Sequence, residues 1–285
     1  MREPVLQPKW EDLTLKDGFI FAQVMKNPRL CQTLIEKLLG LSNIEKIEYI
    51  EAEKSIDLRP DSKGIRLDVY IKDSDAIFNI EMQRSNTYEL AQRSRYYQDL
   101  MDLDVLAKGE HYRTLKKSYV VFICTDDIFG QGFYRYSFEN RCEEVEGLRL
   151  EDGTYKVFFN TKGTKGNVDA SVKAFLSYLD GKVVDDPFVK ELDEEVRKVK
   201  HSDHLKIQYA GAYIEKLESF ENGVEQGLEQ GLERGLERGR KEERARAEVE
   251  KLKIVKNFIN SGVSIDVIIN STGLSEAEIL KLKSE

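Results

Sequence analysis

Two acidic residues and an amide stand where a hydrophobic core has no use for them. Between Gly64 and Gln83, Leu67, Val69 and Ile71 alternate with Arg66, Asp68 and Tyr70. After the polar turn Lys72–Asp75, Phe78, Ile80 and Met82 alternate with Asn79, Glu81 and Gln83. Carboxylates held close together repel unless something positive lies between them, and a hard, oxygen-seeking cation such as Mg²⁺ meets that need. Asp68 and Glu81 are therefore candidate metal ligands, and Gln83 lies two residues beyond Glu81 on the same face.

Such chemistry requires a hairpin in one register. A two-residue loop at Ser74-Asp75 pairs Asp68 with Glu81, about 5 Å apart across an antiparallel ladder, with the apolar residues together on the opposite face. A slip of one residue would send the acids to opposite faces. The following helix, expected over residues 87–108, places Arg93 in one stripe with Leu90 and Tyr97. An inward guanidinium needs a partner. Either Arg93 pairs with an acid at the core edge, or it reaches the carboxylate face and grips a substrate phosphate, with Tyr97 beside it.

These segments resemble the PD-(D/E)XK nuclease superfamily: Asp68, then Glu81-Met82-Gln83 at the end of the next strand, with Gln83 where most members carry lysine. More specifically the chain resembles the Rpn family of recombination-promoting nucleases, or putative transposases. The resemblance runs through Lys16-Asp17-Gly18-Phe19, Arg66-Leu67-Asp68-Val69, Asn79–Gln83, Arg93–Tyr97, Gly109-Glu110-His111-Tyr112 and the glycine-punctuated tail. It implies a metal-dependent DNA nuclease associated with recombination, and it offers Asp17 as a third catalytic acid. The plainer reading of Asp17 is a favourable charge in a helix's first turn. Gln92-xxx-Tyr96 resembles another motif of the superfamily, although it points away from the Arg93 stripe.

The expected fold is α/β, a mixed sheet in an αβββαβ core with a helical C-terminal extension. Residues 12–40 read as two helices broken at Pro28, residues 44–56 as a strand, Arg59–Gly64 as a turn, and Ser118–Cys124 as a buried central strand. Short strands are expected over Phe133–Phe138, Gly147–Leu150 and Tyr155–Asn160, the last two joined by an Asp152-Gly153 turn. The expected domains are a nuclease-like core over 1–165, a helical extension over 166–220 packed on the core or on another subunit, a linker over 221–244 and a small tail over 245–285.

Composition bounds the function. The 285 residues are 34% charged and 40% hydrophobic, with no apolar run long enough for a membrane span and no signal-peptide core in MREPVLQPKW. The expected compartment is the cytoplasm. Cys31, Cys124 and Cys142 lack metal or disulfide spacing, and His201-xx-His204 reads as solvated helix. A net charge of −8 argues against indiscriminate polyanion binding but leaves room for local phosphate contacts.

In the tail, glycine recurs every fourth residue from Gly223 to Gly239, beside columns of Val224, Leu228, Leu232, Leu236 and of Glu225, Glu229, Glu233, Glu237. Each glycine costs about 1 kcal/mol of helix stability, roughly 5 in all. The segment reads either as a helix ordered by a partner, giving a homodimer through the C-terminal helices, or as a tolerated linker. Beyond it, a helix from 245 to 260, a second from Ile265 and a third capped by Ser275 and Glu278 resemble a helix-turn-helix. The third begins Ser275-Glu276-Ala277-Glu278, a poor start for reading DNA.

Two functions follow. The first is a Mg²⁺-dependent DNA endonuclease using Asp68, Glu81, Gln83 and Asp17, with Arg93 and Tyr97 on the substrate. The second is a catalytically weak or inactive regulator that binds nucleic acid or protein and oligomerises through its tail. A metal-stabilised structural domain is a third, weaker reading.

Overall fold

A computed structural model describes residues 8–41, 44, 49–56, 65–84 and 89–284. The chain forms two compact units, Met1–Gly211 and Ala212–Glu285. In the first, α1 (Gly18–Met25) and α2 (Pro28–Leu39) precede three antiparallel strands, β1 (Tyr49–Ile56), β2 (Ile65–Lys72) and β3 (Ala76–Gln83). Helix α3 (Leu90–Val105) then leads into β4 (Lys117–Cys124), which pairs parallel to β3. β5 (Arg135–Phe138) and β6 (Thr154–Asn160) complete a six-stranded mixed sheet ordered β1-β2-β3-β4-β6-β5. Helices α4 (Ala170–Leu179) and α5 (Pro187–Lys200) follow. This is the expected α/β architecture, with αβββαβ order once α1 and α2 are taken together.

Local chemistry explains the boundaries. Asn27 caps α2 by accepting a hydrogen bond from the Leu30 amide at 3.4 Å, Pro28 occupies the first turn, and Gly40 (φ 67°) ends the helix in the left-handed conformation. The Arg59–Gly64 turn lies outside the described residues, as do residues 45–48 of the expected first strand and 87–88 of the expected helix.

Two cores sandwich the sheet. Val69, Ile71, Phe78, Ile80, Val121 and Phe159 pack under α1, α2, α4 and α5, so the helical extension packs on the core. Tyr70, Ile77, Val120, Phe122 and Phe158 pack under Leu90, Tyr97, Leu100 and Met101 of α3. The face carrying Asp68 and Glu81 is therefore largely covered, with Glu81 buried and Asp68 partly exposed, rather than an open polar surface. The apolar residues of the hairpin also do not all share a face, since Leu67 joins the α3 side while Val69 and Ile71 join the other. The change falls at Asp68, where the β1–β2 register skips Glu53, a residue with φ 60°.

The stretch Gly147–Leu150 makes only an isolated bridge, Arg149 with Arg141. No hairpin forms at Asp152-Gly153, because β6 pairs parallel to β4 and antiparallel to β5. Parallel pairing buries β6 between two neighbours and stacks Phe122 on Phe158 and Tyr119 on Tyr155, at centroid distances of 5.4 and 4.7 Å.

His201 and His204 do not share a helix: His201 caps the end of α5, and the next helix starts at Asp203. That helix, α6, runs unbroken from Asp203 to Asn260, so the glycine-repeat segment is helical throughout. In the second unit, Val255 of α6, Ile268 of α7 (Ile265–Thr272) and Ile279 of α8 (Glu276–Ser284) form a small core. Ser275 and Glu278 make the expected reciprocal cap, with the Ser275 amide donating to Glu278 Oε2 at 2.8 Å and the Glu278 amide to Ser275 Oγ at 3.4 Å.

Candidate active site

The loop Ser74-Asp75 is closed by the Asp73 amide donating to the Ala76 carbonyl at 2.9 Å. Val69 faces Ile80 and Tyr70 faces Asn79, so the ladder ends one residue short of Asp68 and Glu81, in the register that sets them opposite each other. At that point the backbone ladder gives way to the side chains. The Asp68 amide donates to Glu81 Oε1 at 3.0 Å, and the Met82 amide donates to Asp68 Oδ2 at 2.9 Å. Each carboxylate thus takes a hydrogen bond that a backbone carbonyl would otherwise accept, which fixes its orientation. Asp68 Oδ1 is left without a hydrogen-bond partner among the described residues.

Arg93 projects from α3 onto this pair. Its Nη1 donates to Gln83 Oε1 at 3.0 Å, its Nη2 donates to the Tyr97 hydroxyl at 2.7 Å, and Nη2 lies 3.6 Å from Glu81 Oε2. The guanidinium carbon sits 5.3 Å from the Tyr97 ring centre and 5.5 Å from that of Phe122. Both roles raised by the sequence are compatible with this position: Arg93 pairs with an acid, and it does so at the carboxylate face.

Asp17 precedes α1 and accepts from the Thr14 amide at 2.8 Å. It also pairs with Arg84, the residue after Gln83. A Cβ on its neighbour Gly18 would lie 3.5 Å from both Asp68 carboxylate oxygens, so the start of α1 rests against Asp68. Asp17 therefore borders the site. Among the described residues, no three of His, Cys, Asp and Glu are grouped so as to hold a metal, so Asp17 does not join Asp68 and Glu81 in a three-acid cluster.

Burial sets the electrostatics. Glu81 is 4% exposed. Loss of water, followed by the charge of Asp68, pushes its carboxyl up from 4.5 to about 8 against the pull of the Asp68 amide and Arg93. Burial also raises Asp68, against the Met82 amide, Arg66 and Arg93. Fully buried Asn79 lies close enough to draw Glu81 slightly down, yet neither of its polar atoms makes a hydrogen bond of normal geometry. Tyr97 is raised by burial and by Glu81.

Other sequence candidates lie elsewhere. His111 and Tyr112 are exposed in the loop before β4. Gln83 pairs with Cys124 at the far end of that strand, roughly 20 Å away at ~3.3 Å per residue. Gln92 is exposed and Tyr96 partly buried. Cys31 and Cys124 are buried free thiols pushed up to about 12 by burial. Sequence reasoning missed Arg84 and the approach of Gly18. The available signals were Arg84's position directly after Gln83 and the Asp17-Gly18 pair.

Residues 12–152 match the family model of PD-(D/E)XK nuclease family transposases. No curated protein and no solved structure matches the chain. The matched segment holds the Asp68–Glu81 hairpin, the Asp17-Gly18 approach and the Arg93 helix, and it identifies residues 12–152 as a PD-(D/E)XK nuclease family transposase domain.

Proposed function

We propose that this site hydrolyses phosphodiester bonds in DNA with a divalent cation, Mg²⁺, held by Asp68 and Glu81. The observation that carries the reading is two carboxylates held against each other across a hairpin, Glu81 buried and Asp68 partly exposed, one with an oxygen lacking any described partner. The donor set suits the group: its ligands are hard oxygens, and both carboxyls resist ionising side by side until positive charge is supplied. When bound, such a cation polarises the phosphate and lowers the pKa of a coordinated water.

The chain's own groups do the rest. The backbone amides of Asp68 and Met82 hold the two carboxylates in place. Gln83 is uncharged, so it orients through hydrogen bonds, and the positive charge a lysine would bring there comes from Arg93. Arg93 has five N–H donors and spends only two on Gln83 and Tyr97 in these bonds, so it can also grip a phosphate oxygen. Tyr97 positions the guanidinium. Asp17 holds Arg84 at the end of β3, a second local cation in a chain of net charge −8.

The test is a supercoiled plasmid incubated with the purified full chain and Mg²⁺. Nicking by the wild type that disappears in Asp68→Ala and in Glu81→Ala supports the proposal. Nicking that survives both substitutions excludes this site. Binding of DNA by the wild type with no metal-dependent cleavage would favour the noncatalytic regulator, for which the missing lysine at Gln83 is the motivating observation.

A further inference from the structure

Helix α6 carries an apolar face that the described residues leave exposed. Val224, Leu228, Leu232 and Leu236 are 46%, 71%, 67% and 56% exposed, and Phe220 is 65% exposed just before them. At 100° per residue, Leu217, Val224, Leu228 and Leu232 fall within about 80° of one another, forming one stripe. Beside it run Gly223, Gly227, Gly231, Gly235 and Gly239, where an added Cβ would meet nothing within 4 Å. A helix that exposes leucine and glycine columns together presents a surface onto which another helix can close tightly.

The charge pattern says which helix. Around Gly231, residues 216–230 hold four glutamates and one lysine, net −3. Residues 232–246 hold six basic residues and four glutamates, net +2. Two copies aligned in parallel set −3 against −3 and +2 against +2. Aligned antiparallel, each acidic half meets a basic half. We propose that the α6 stripe pairs antiparallel with the same stripe of a second copy of this chain, centred near Gly231. The pairing is independent of the nuclease reading.

Sedimentation equilibrium of the full-length protein over a dilution series reads the association directly. Leu228→Glu with Leu232→Glu should weaken the dimer by on the order of 10²-fold or more, from the lost apolar burial. Circular dichroism of the same variant controls for loss of helix. Gly231→Ala favours an isolated helix yet fills the contact, so it should weaken the dimer rather than strengthen it. Added salt should weaken an antiparallel dimer, whereas a parallel one would tighten as its like charges are screened. Orientation is read by pulsed electron paramagnetic resonance on Glu221→Cys in a Cys142→Ser background, since Cys31 and Cys124 are buried. Antiparallel pairing centred on Gly231 separates the two labels by about 30 Å along the axis, twenty residues at 1.5 Å each. A monomer at every concentration, a dimer indifferent to the leucine substitutions, or labels as close as those on Glu233→Cys would each overturn the proposal.

Discussion

Replacing Glu81 by glutamine should stabilise the metal-free protein at pH 8 and leave it nearly unchanged at pH 4. Glu81 is buried beside Asp68, and its carboxyl is pushed up from 4.5 to about 8. Folding therefore favours the protonated form. The associated stability is fully present below about pH 4.5 and is lost as pH rises through about 8. At 1.36 kcal/mol per pH unit, that interval sets a ceiling of roughly 5 kcal/mol. For a unit of this size, each kcal/mol moves the melting temperature by about 2–4 °C. Glutamine keeps an oxygen for the Asp68 amide and carries no charge, so it removes this loss without vacating the space. The assay is thermal unfolding of both proteins across this pH range, with chelator and with Mg²⁺. The wild type should gain from Mg²⁺ at pH 8 and little at pH 5, because binding requires the ionised carboxylates. The variant should gain little at either pH. Parallel pH curves for the two metal-free proteins, or an equal response to Mg²⁺, would refute the reasoning.

Arg93→Ala should cut cleavage by on the order of 10²-fold, and Arg93→Lys should not restore it, because one ammonium cannot span Gln83, Tyr97 and Glu81 at once. Single-turnover plasmid assays read this. Gln83→Lys should fail to raise the rate despite restoring the residue usual in the superfamily, since it sets an ammonium against the Arg93 guanidinium now 3.0 Å from Gln83. A faster enzyme would show that Arg93 does not fill that role. Asp17→Ala should cost about 1–3 kcal/mol in denaturant unfolding, because it strips Arg84 and the Thr14 amide of their acceptor. An unchanged midpoint would mean the pair contributes nothing.

The hairpin register was legible because a two-residue loop and strict alternation leave one pairing that keeps Asp68 and Glu81 on the same face. The burial of that face was not legible. Tyr70 and Ile77 already hinted at a second core, but the α3 cover that makes Glu81 so hard to ionise is a tertiary fact. The inward stripe of Arg93 followed from helical spacing, while its three partners depend on where α3 crosses the sheet. The Asp17–Arg84 pair joins positions 67 residues apart, which local pattern cannot connect. Gly147–Leu150 reads as strand by turn chemistry, yet parallel pairing with β4 had already claimed the neighbouring edge of β6. Continuity of α6 through its glycines ran against intrinsic propensity, which left the segment open between helix and linker.

The most direct measurement is an anomalous difference map from Mn²⁺-soaked crystals of the wild type and of Glu81→Gln. A peak within coordination distance of Asp68 and Glu81 in the wild type, absent from the variant, is the expected result. No peak there in a preparation that still nicks DNA would contradict the assignment of these two carboxylates as the metal site.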